Sequence, residues 1–188
     1  MYLGYTMKKQ MLDTIVANEE INNTKLTHAQ KIINELYQEL PDYIARGHGP
    51  FLAAIYDETG HLIAKAANSV VLESNSNDHA EMNVIRTAEK FFNTYDLSPH
   101  NLSLFVTAEP CIMCLGGIMW SGIKNVYFGV PSKLVESITG FDEGFKPDWL
   151  NEFKKRGITV YGNIDVENGE KVLQKYIKQK HIVYKPQQ

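Results

Sequence analysis

Two stretches near the start of the chain, 8–23 and 27–46, carry apolar residues at helical spacing: "MLDTIV" in the first and "IINELYQELPDYI" in the second. Thr27 with Gln30 has the form of a capping box, which predicts that the second helix begins there. "RGHGP" ends this helical region. "FLAAIYDE" and "HLIAKAANSVV" follow as two β-rich runs separated by "TG", the pattern of a hairpin whose glycine supplies a positive φ. From residue 78 the elements alternate: a helix at 79–92 with Ala80, Val84, Ala88 and Phe91 on one face, a strand at 102–108, a helix at 111–121 and a strand at 125–130. Glycines, prolines and acids crowd residues 135–149, which read as an irregular loop. A strand near "GITVYG", a helix from Val166 to Gln179 and the closing "HIVYKPQQ" complete the pattern.

Strands that alternate with helices predict an α/β protein with helices on both faces of a sheet. The first 45 residues read as an N-terminal helical extension, and 46–188 as the main unit. The 188 residues, 44% of them hydrophobic, suffice for a real core and exclude a disordered chain. Lys+Arg number 19 against 22 Asp+Glu, a net charge of -3, so no strong field advertises nucleic acid or a membrane, and a small substrate fits the balance. No apolar run approaches the roughly 18 residues of a membrane helix, and the start lacks a leader pattern, so a cytoplasmic protein is expected.

The two cysteines of the chain, Cys111 and Cys114, stand in a C-x-x-C spacing that suits a redox pair or half a zinc site better than a disulfide framework. Pro110 suits a first helical turn, so "EPCIMC" opens a helix with both thiols on one face of its start, where the free N–H groups favour thiolate. His79 holds the matching position at the start of the helix at 79–92. If the two helices pack side by side, one imidazole and two thiolates supply three tetrahedral zinc ligands, and three ligands with an open position is the catalytic form of zinc. Glu81 lies two residues from the ligating His and is placed to take a proton from a water in that fourth position. A closed structural zinc site would need a fourth protein ligand that these residues do not supply. The remaining histidines, at 28, 48, 61, 100 and 181, match no ligand spacing.

The joint pattern, H-A-E at 79–81 and P-C-I-M-C at 110–114, resembles the H-x-E…P-C-x-x-C signature of the zinc nucleobase deaminases. From about Pro50 onward the chain is similar to the cytidine deaminase superfamily. That resemblance implies a three-layer α/β/α sandwich with a central mixed sheet, one Zn2+ per subunit, hydrolytic deamination and a homodimer. Two branches fit, the small bacterial guanine deaminases and the tRNA adenosine deaminases, and several stretches favour the first. "GPFLAAIYDETGHLIAKAANSV" looks like that branch's strand and puts its substrate-binding Asn at Asn68, and "EPCIMCLGGIMWSGIKNVYF" resembles its zinc helix through Trp120. "TGFDEGF" matches a segment whose last acid, here Glu143, serves as a second proton shuttle.

The resemblance therefore implies a purine base as substrate, most readily guanine converted to xanthine and ammonia. Glu81 and Glu143 would move protons, and Asn68, Phe51, Trp120 and Asp142 would bind the substrate. Asn68 can donate to and accept from a purine edge, and Phe51 and Trp120 could offer an apolar or stacking surface. The C-terminal segment would cover the site, in some relatives that of the partner subunit. The tRNA branch stays open as the alternative and would require a basic surface, for which "KKR" at 154–156 and the lysines of 171–185 are the support.

Overall fold

The computed structural model describes Ala17, Glu20 and residues 22–184. The helix expected at 8–23 falls mostly outside these residues, as does the end of the closing segment. Ala17 itself is not helical: it forms an isolated antiparallel bridge with Tyr161.

Helix α1 (Asn23–Ala45) begins earlier than the Thr27/Gln30 pattern predicts. Asn22 has extended backbone, and its Oδ1 accepts the Lys25 N–H at 2.8 Å, so an asparagine one turn upstream satisfies the helix start. Thr27 lies inside the helix and donates its Oγ1 to the Asn23 carbonyl at 2.8 Å instead. Strands β1 (Leu52–Tyr56) and β2 (Leu62–Ala67) form the expected hairpin, turned by Gly60 at φ +86. The chain continues through α2 (Ala80–Phe92), β3 (Ser103–Ala108), α3 (Ile112–Ser121), β4 (Asn125–Val130), α4 (Ser132–Thr139), α5 (Trp149–Lys155), β5 (Thr159–Tyr161) and α6 (Val166–Lys178).

The strands lie in the order β2-β1-β3-β4-β5. β1 runs antiparallel to β2 and β3, whereas β3, β4 and β5 are parallel, so the sheet is mixed. Helices cover both faces, and successive residues of one strand therefore enter different cores. Leu104, Val106, Val126 and Phe128 pack with Val84, Ala88, Leu115 and Ile118 of α2 and α3. Phe105, Tyr127 and Val130 pack instead with Ile33, Leu36 and Leu40 of α1 and Leu173 of α6. The segment read as an N-terminal extension thus supplies one layer of the sandwich. Tyr37 of α1 reinforces the contact by donating its buried hydroxyl to the Thr107 carbonyl at 2.6 Å, at the end of β3.

Two details depart from the hydrophobic pattern. Phe91, expected on the docking face of the second helix, is 65% exposed, and Ile85 takes part in its place. The stretch 135–149, expected as irregular, is helical as far as Thr139 because Val135 is fully buried against the sandwich with Ile138 packed beside it. Gly140, at φ +71, ends that helix, and 140–148 then run without regular structure to α5. Among the described residues no helix is long and apolar enough to cross a membrane.

Since Leu36 is 1% exposed within the layer that α1 contributes, Leu36→Ala should destabilise the fold by about 2–5 kcal/mol. Denaturant unfolding followed by circular dichroism checks this, and a change below about 1 kcal/mol would mean that α1 is not part of the cooperative unit.

Candidate functional site

The site forms where two helix starts meet. His79 caps the N-terminus of α2 and Cys111 that of α3, both with extended backbone, at φ -67, ψ 153 and φ -68, ψ 170. Neither cap side chain hydrogen-bonds the N–H groups of its own first turn; the two side chains meet each other instead, and both helices pack on the same side of the sheet. The helices approach closely at Gly117, where an added Cβ would lie 2.5 Å from the Met82 sulfur. A larger residue there would force the end of the Met82 side chain to move.

His79 Nδ1 lies 3.5 Å from Cys111 Sγ and 3.7 Å from Cys114 Sγ, and the two sulfurs are 3.6 Å apart. Zinc bonds of about 2.3 Å to sulfur and about 2.0–2.1 Å to nitrogen, set at tetrahedral angles, require edges of roughly 3.8 Å between sulfurs and roughly 3.6 Å between sulfur and nitrogen. The triangle has nearly those edges. It is far from disulfide geometry, in which the sulfurs sit about 2.05 Å apart. Both thiols are free, and the three donor atoms lie within 4.8 Å of one another. A hydrogen bond from the Cys114 thiol, helped by His79, holds the Cys111 thiol down to about 4 and makes it thiolate at neutral pH. Burial opposes charge on His79, but its contact with Cys111 and the charge of Glu81 prevail and raise its pKa. The donor set is the one zinc prefers.

Behind the triangle opens a cavity of about 330 Å³. Glu81, 6% exposed in the first turn of α2, faces it beside His79, and burial, followed by the charge at Cys111, raises its carboxyl above the usual range. Glu143, 8% exposed on the 140–148 loop, lines the same cavity. Burial pushes its carboxyl up to about 8, against the pull of Lys146. The loop is tied to the start of α3 through the Glu143 carbonyl, which accepts the Ile112 N–H at 3.2 Å.

Asn68 also lines the cavity, at the end of β2. Its Oδ1 accepts the Val70 N–H at 3.3 Å, and its backbone carbonyl accepts the Gly49 N–H at 2.9 Å. Glycine is needed at 49, because a Cβ there would stand 2.7 Å from Asn68 Oδ1. Phe51 lines the cavity next to Asn68, whose N–H its carbonyl accepts at 3.0 Å, and meets Phe141 edge to face, with centroids 5.4 Å apart. Asp142 lies at the rim, where its Oδ1 accepts the Gly144 N–H at 2.9 Å and shapes the turn.

Trp120 is the exception among the residues singled out in the sequence. It is 88% exposed and lines a surface groove with Met82, Arg86 and Tyr95, away from the cavity. At roughly 3.6 residues per turn it stands about two-thirds of a turn round α3 from Cys114, so the helix that points the thiol inward points the indole outward. Sequence reasoning missed Tyr176, which lines the cavity from α6 and donates its hydroxyl to the Ile182 carbonyl at 2.6 Å. That bond fixes the closing segment, whose Ile182 and Tyr184 lie over the cavity of their own chain. It also missed Glu109 and Lys146. An aromatic in an amphipathic helix and a lysine in a polar loop carry no pattern that distinguishes them from core and solvated residues.

Removing one ligand tests the triangle. Cys111→Ala should leave the purified protein with less than a tenth of the zinc found in the parent by elemental analysis, and should lower its melting temperature. Stoichiometric zinc in the variant would refute the ligand assignment.

A family model described as the cytidine and deoxycytidylate deaminase zinc-binding region matches residues 17–130. Among solved structures, a guanine deaminase from Nitrosomonas europaea superposes with a TM-score of 0.75 at 31% identity, covering 86% of this chain and 87% of that one. A further structure, solved in complex with 2,6-diaminopurine, gives 0.78 at 30% identity over 94% and 91%. Guanine deaminase from Bacillus subtilis (strain 168) is 36% identical over 97 residues, 52% of this chain and 60% of that protein. A tRNA-specific adenosine deaminase from Haemophilus influenzae is also 36% identical, over 85 residues covering 45% and 48%. The matched stretch thus spans about half to three-fifths of these two relatives. The family match takes in His79, Glu81 and both cysteines, the residues that the fold gathers at one cavity, and the chain belongs to the cytidine and deoxycytidylate deaminase family.

Proposed function

We propose that the protein is a zinc-dependent hydrolytic deaminase of a free purine base, converting guanine and water to xanthine and ammonia in the cytoplasm. The observation that carries this reading is the placement of two buried carboxyls, Glu81 and Glu143, on one cavity of about 330 Å³ with the His79/Cys111/Cys114 triangle and Asn68. Zinc held by that triangle supplies a Lewis acid that activates water at neutral pH. Glu81 receives the water's proton and delivers it to a ring nitrogen of the base, a role that its place beside His79 supports. Glu143, reaching the cavity from the 140–148 loop, gives a proton to the amino group so that it departs as ammonia, and is recharged by the water's second proton, released as the new carbonyl forms. Asn68 reads the purine edge with its carboxamide, and the Phe51–Phe141 pair offers the apolar wall that a planar ring needs.

The roof favours a free base over a nucleotide held in RNA. Tyr176, Ile182 and Tyr184 line the cavity and narrow it to a space of small-molecule size. A homodimer belongs to the same proposal: exposed Trp120 and Tyr95 flank a groove on the outer face of α2 and α3 that a second copy would cover.

Ammonia release by the zinc-loaded protein should be largest with guanine in a panel of guanine, guanosine, adenine, cytosine, cytidine and a tRNA. Release from the tRNA alone would transfer the assignment to wobble adenosine. Glu81→Ala should retain zinc yet lose about 100- to 10,000-fold in kcat/KM, and unchanged turnover would sink the proton-transfer role. Glu143→Gln should slow guanine turnover without altering the circular dichroism spectrum.

A further inference from the structure

Lys146 is the one cation of the 140–148 loop, and its side chain is only 10% exposed. A buried ammonium is costly unless it is paired and hydrogen-bonded. Its Nζ lies 3.1 Å from Glu109 Oε1 and 3.8 Å from Glu143 Oε2, and it is also hydrogen-bonded to Ser132 Oγ. The partners are bound to one another. The other oxygen of Glu109 accepts the Ser132 N–H at 2.9 Å, and Ser132 Oγ donates to Glu143 Oε2 at 3.5 Å. Three separate pieces of chain meet here: the turn after β3, the start of α4, and the loop that carries Glu143.

Lys146 does not line the substrate cavity. It lines a separate space behind Glu143, and Glu109, Glu143 and Gly144 form the boundary between the two. Lys146 therefore reaches the cavity only through residues it touches, and of those Glu143 is the carboxyl given a role in the reaction above. The backbone of Glu143 is held by Glu136 Oε1, which accepts its N–H at 3.3 Å, and by Ile112, whereas its carboxyl meets Ser132 and Lys146, and Asp142 and Gly144 on either side are exposed. We propose that Lys146 is a positioning residue: fixed by Glu109 and Ser132, its ammonium holds Glu143 by Oε2 and leaves the other carboxyl oxygen facing the substrate's amino group. Glu109 serves the same end by anchoring the lysine to the turn that leads into Cys111. The effect on turnover rests on the deaminase reading above; the anchoring of the loop does not.

The test uses the zinc-loaded full chain with Lys146→Met, Lys146→Arg, Glu143→Gln and the Lys146→Met/Glu143→Gln double variant, with Lys146→Gln in place of Lys146→Met should the methionine variant not fold. Lys146→Met should lower kcat on guanine about 10- to 100-fold, as loss of orientation of one reacting group does, with KM changed less than about threefold. Amide hydrogen exchange should quicken across 140–148 and stay unchanged in α2, and Lys146→Arg should recover most of both. The double variant should be no slower than Glu143→Gln alone, because a residue that acts through Glu143 has nothing left to position. Multiplying losses in the double variant would overturn the proposal, as would unchanged exchange across 140–148 in Lys146→Met. If the parent protein turns over no amino-heterocycle, the deaminase reading fails while the exchange measurement still decides whether Lys146 anchors the loop.

Discussion

Side-by-side packing of α2 and α3 on one face of the sheet is the constraint on which the rest of the site depends. It sets two helix starts next to each other, and with them His79 and Cys111, whose backbones leave the helix at nearly the same angles. Gly117 lets the end of Met82 pack against α3, and the buried layer of Val84, Ala88, Leu115 and Ile118 beneath holds the two helices in register. A triangle with edges of 3.5, 3.6 and 3.7 Å follows from this packing, with the thiolate character of Cys111 adding the electrostatic part. No single element contains the site.

A site of this kind gathers charge where charge is expensive. Glu81, Glu143 and Asp78 are all less than a tenth exposed, and each has a neighbour that makes its burial tolerable. Asp78 meets Arg86 at 2.8 Å, Glu143 meets Ser132 and Lys146, and Glu81 sits in the first turn of α2, where the helix end favours a carboxylate. Asn83 contributes in a quieter way. Its amide donates to the carbonyls of Ala67 and Asp78, at 3.0 and 3.2 Å, and so ties the end of β2, just before Asn68, to the residue preceding His79. The Ser69 N–H, which donates to the same Asp78 carbonyl at 2.8 Å, makes a second tie between these segments.

The two faces of the sheet divide the labour. The α2/α3 face holds the metal and Glu81, while α1 and α6 cover the other face and carry Tyr176, through which the closing segment is held over the opening. Between them the 140–148 loop reaches in from the end of α4. Family membership accounts for the triangle and for Glu81. The proposed choice of a purine base draws instead on the loop, the closing segment and Asn68, which line the same cavity.

Much of this was legible in the order of residues. Strand and helix alternation is dictated by which positions are apolar, so the hairpin, a sheet with helices on both faces and the helices that start at His79 and Cys111 could be read with good boundaries, while the mixed sheet followed from the family resemblance, and H-A-E with P-C-x-x-C is a local pattern whose chemistry is set by residue type. What failed depended on competition or direction. The Thr27/Gln30 box lost to Asn22 because caps compete within a turn, and the stretch after 135 became helix because the sandwich offered Val135 a buried place that composition could not foresee. Trp120 looked like a substrate residue in one dimension and faces outward in three. The sequence by itself determined which groups are present to do chemistry. Only the tertiary structure decided which of them share a cavity, because His79 meets Cys111 across 32 residues, Lys146 meets Glu109 across 37, and Tyr176 and Ile182 reach the cavity from the far end of the chain, through contacts that leave no periodic trace.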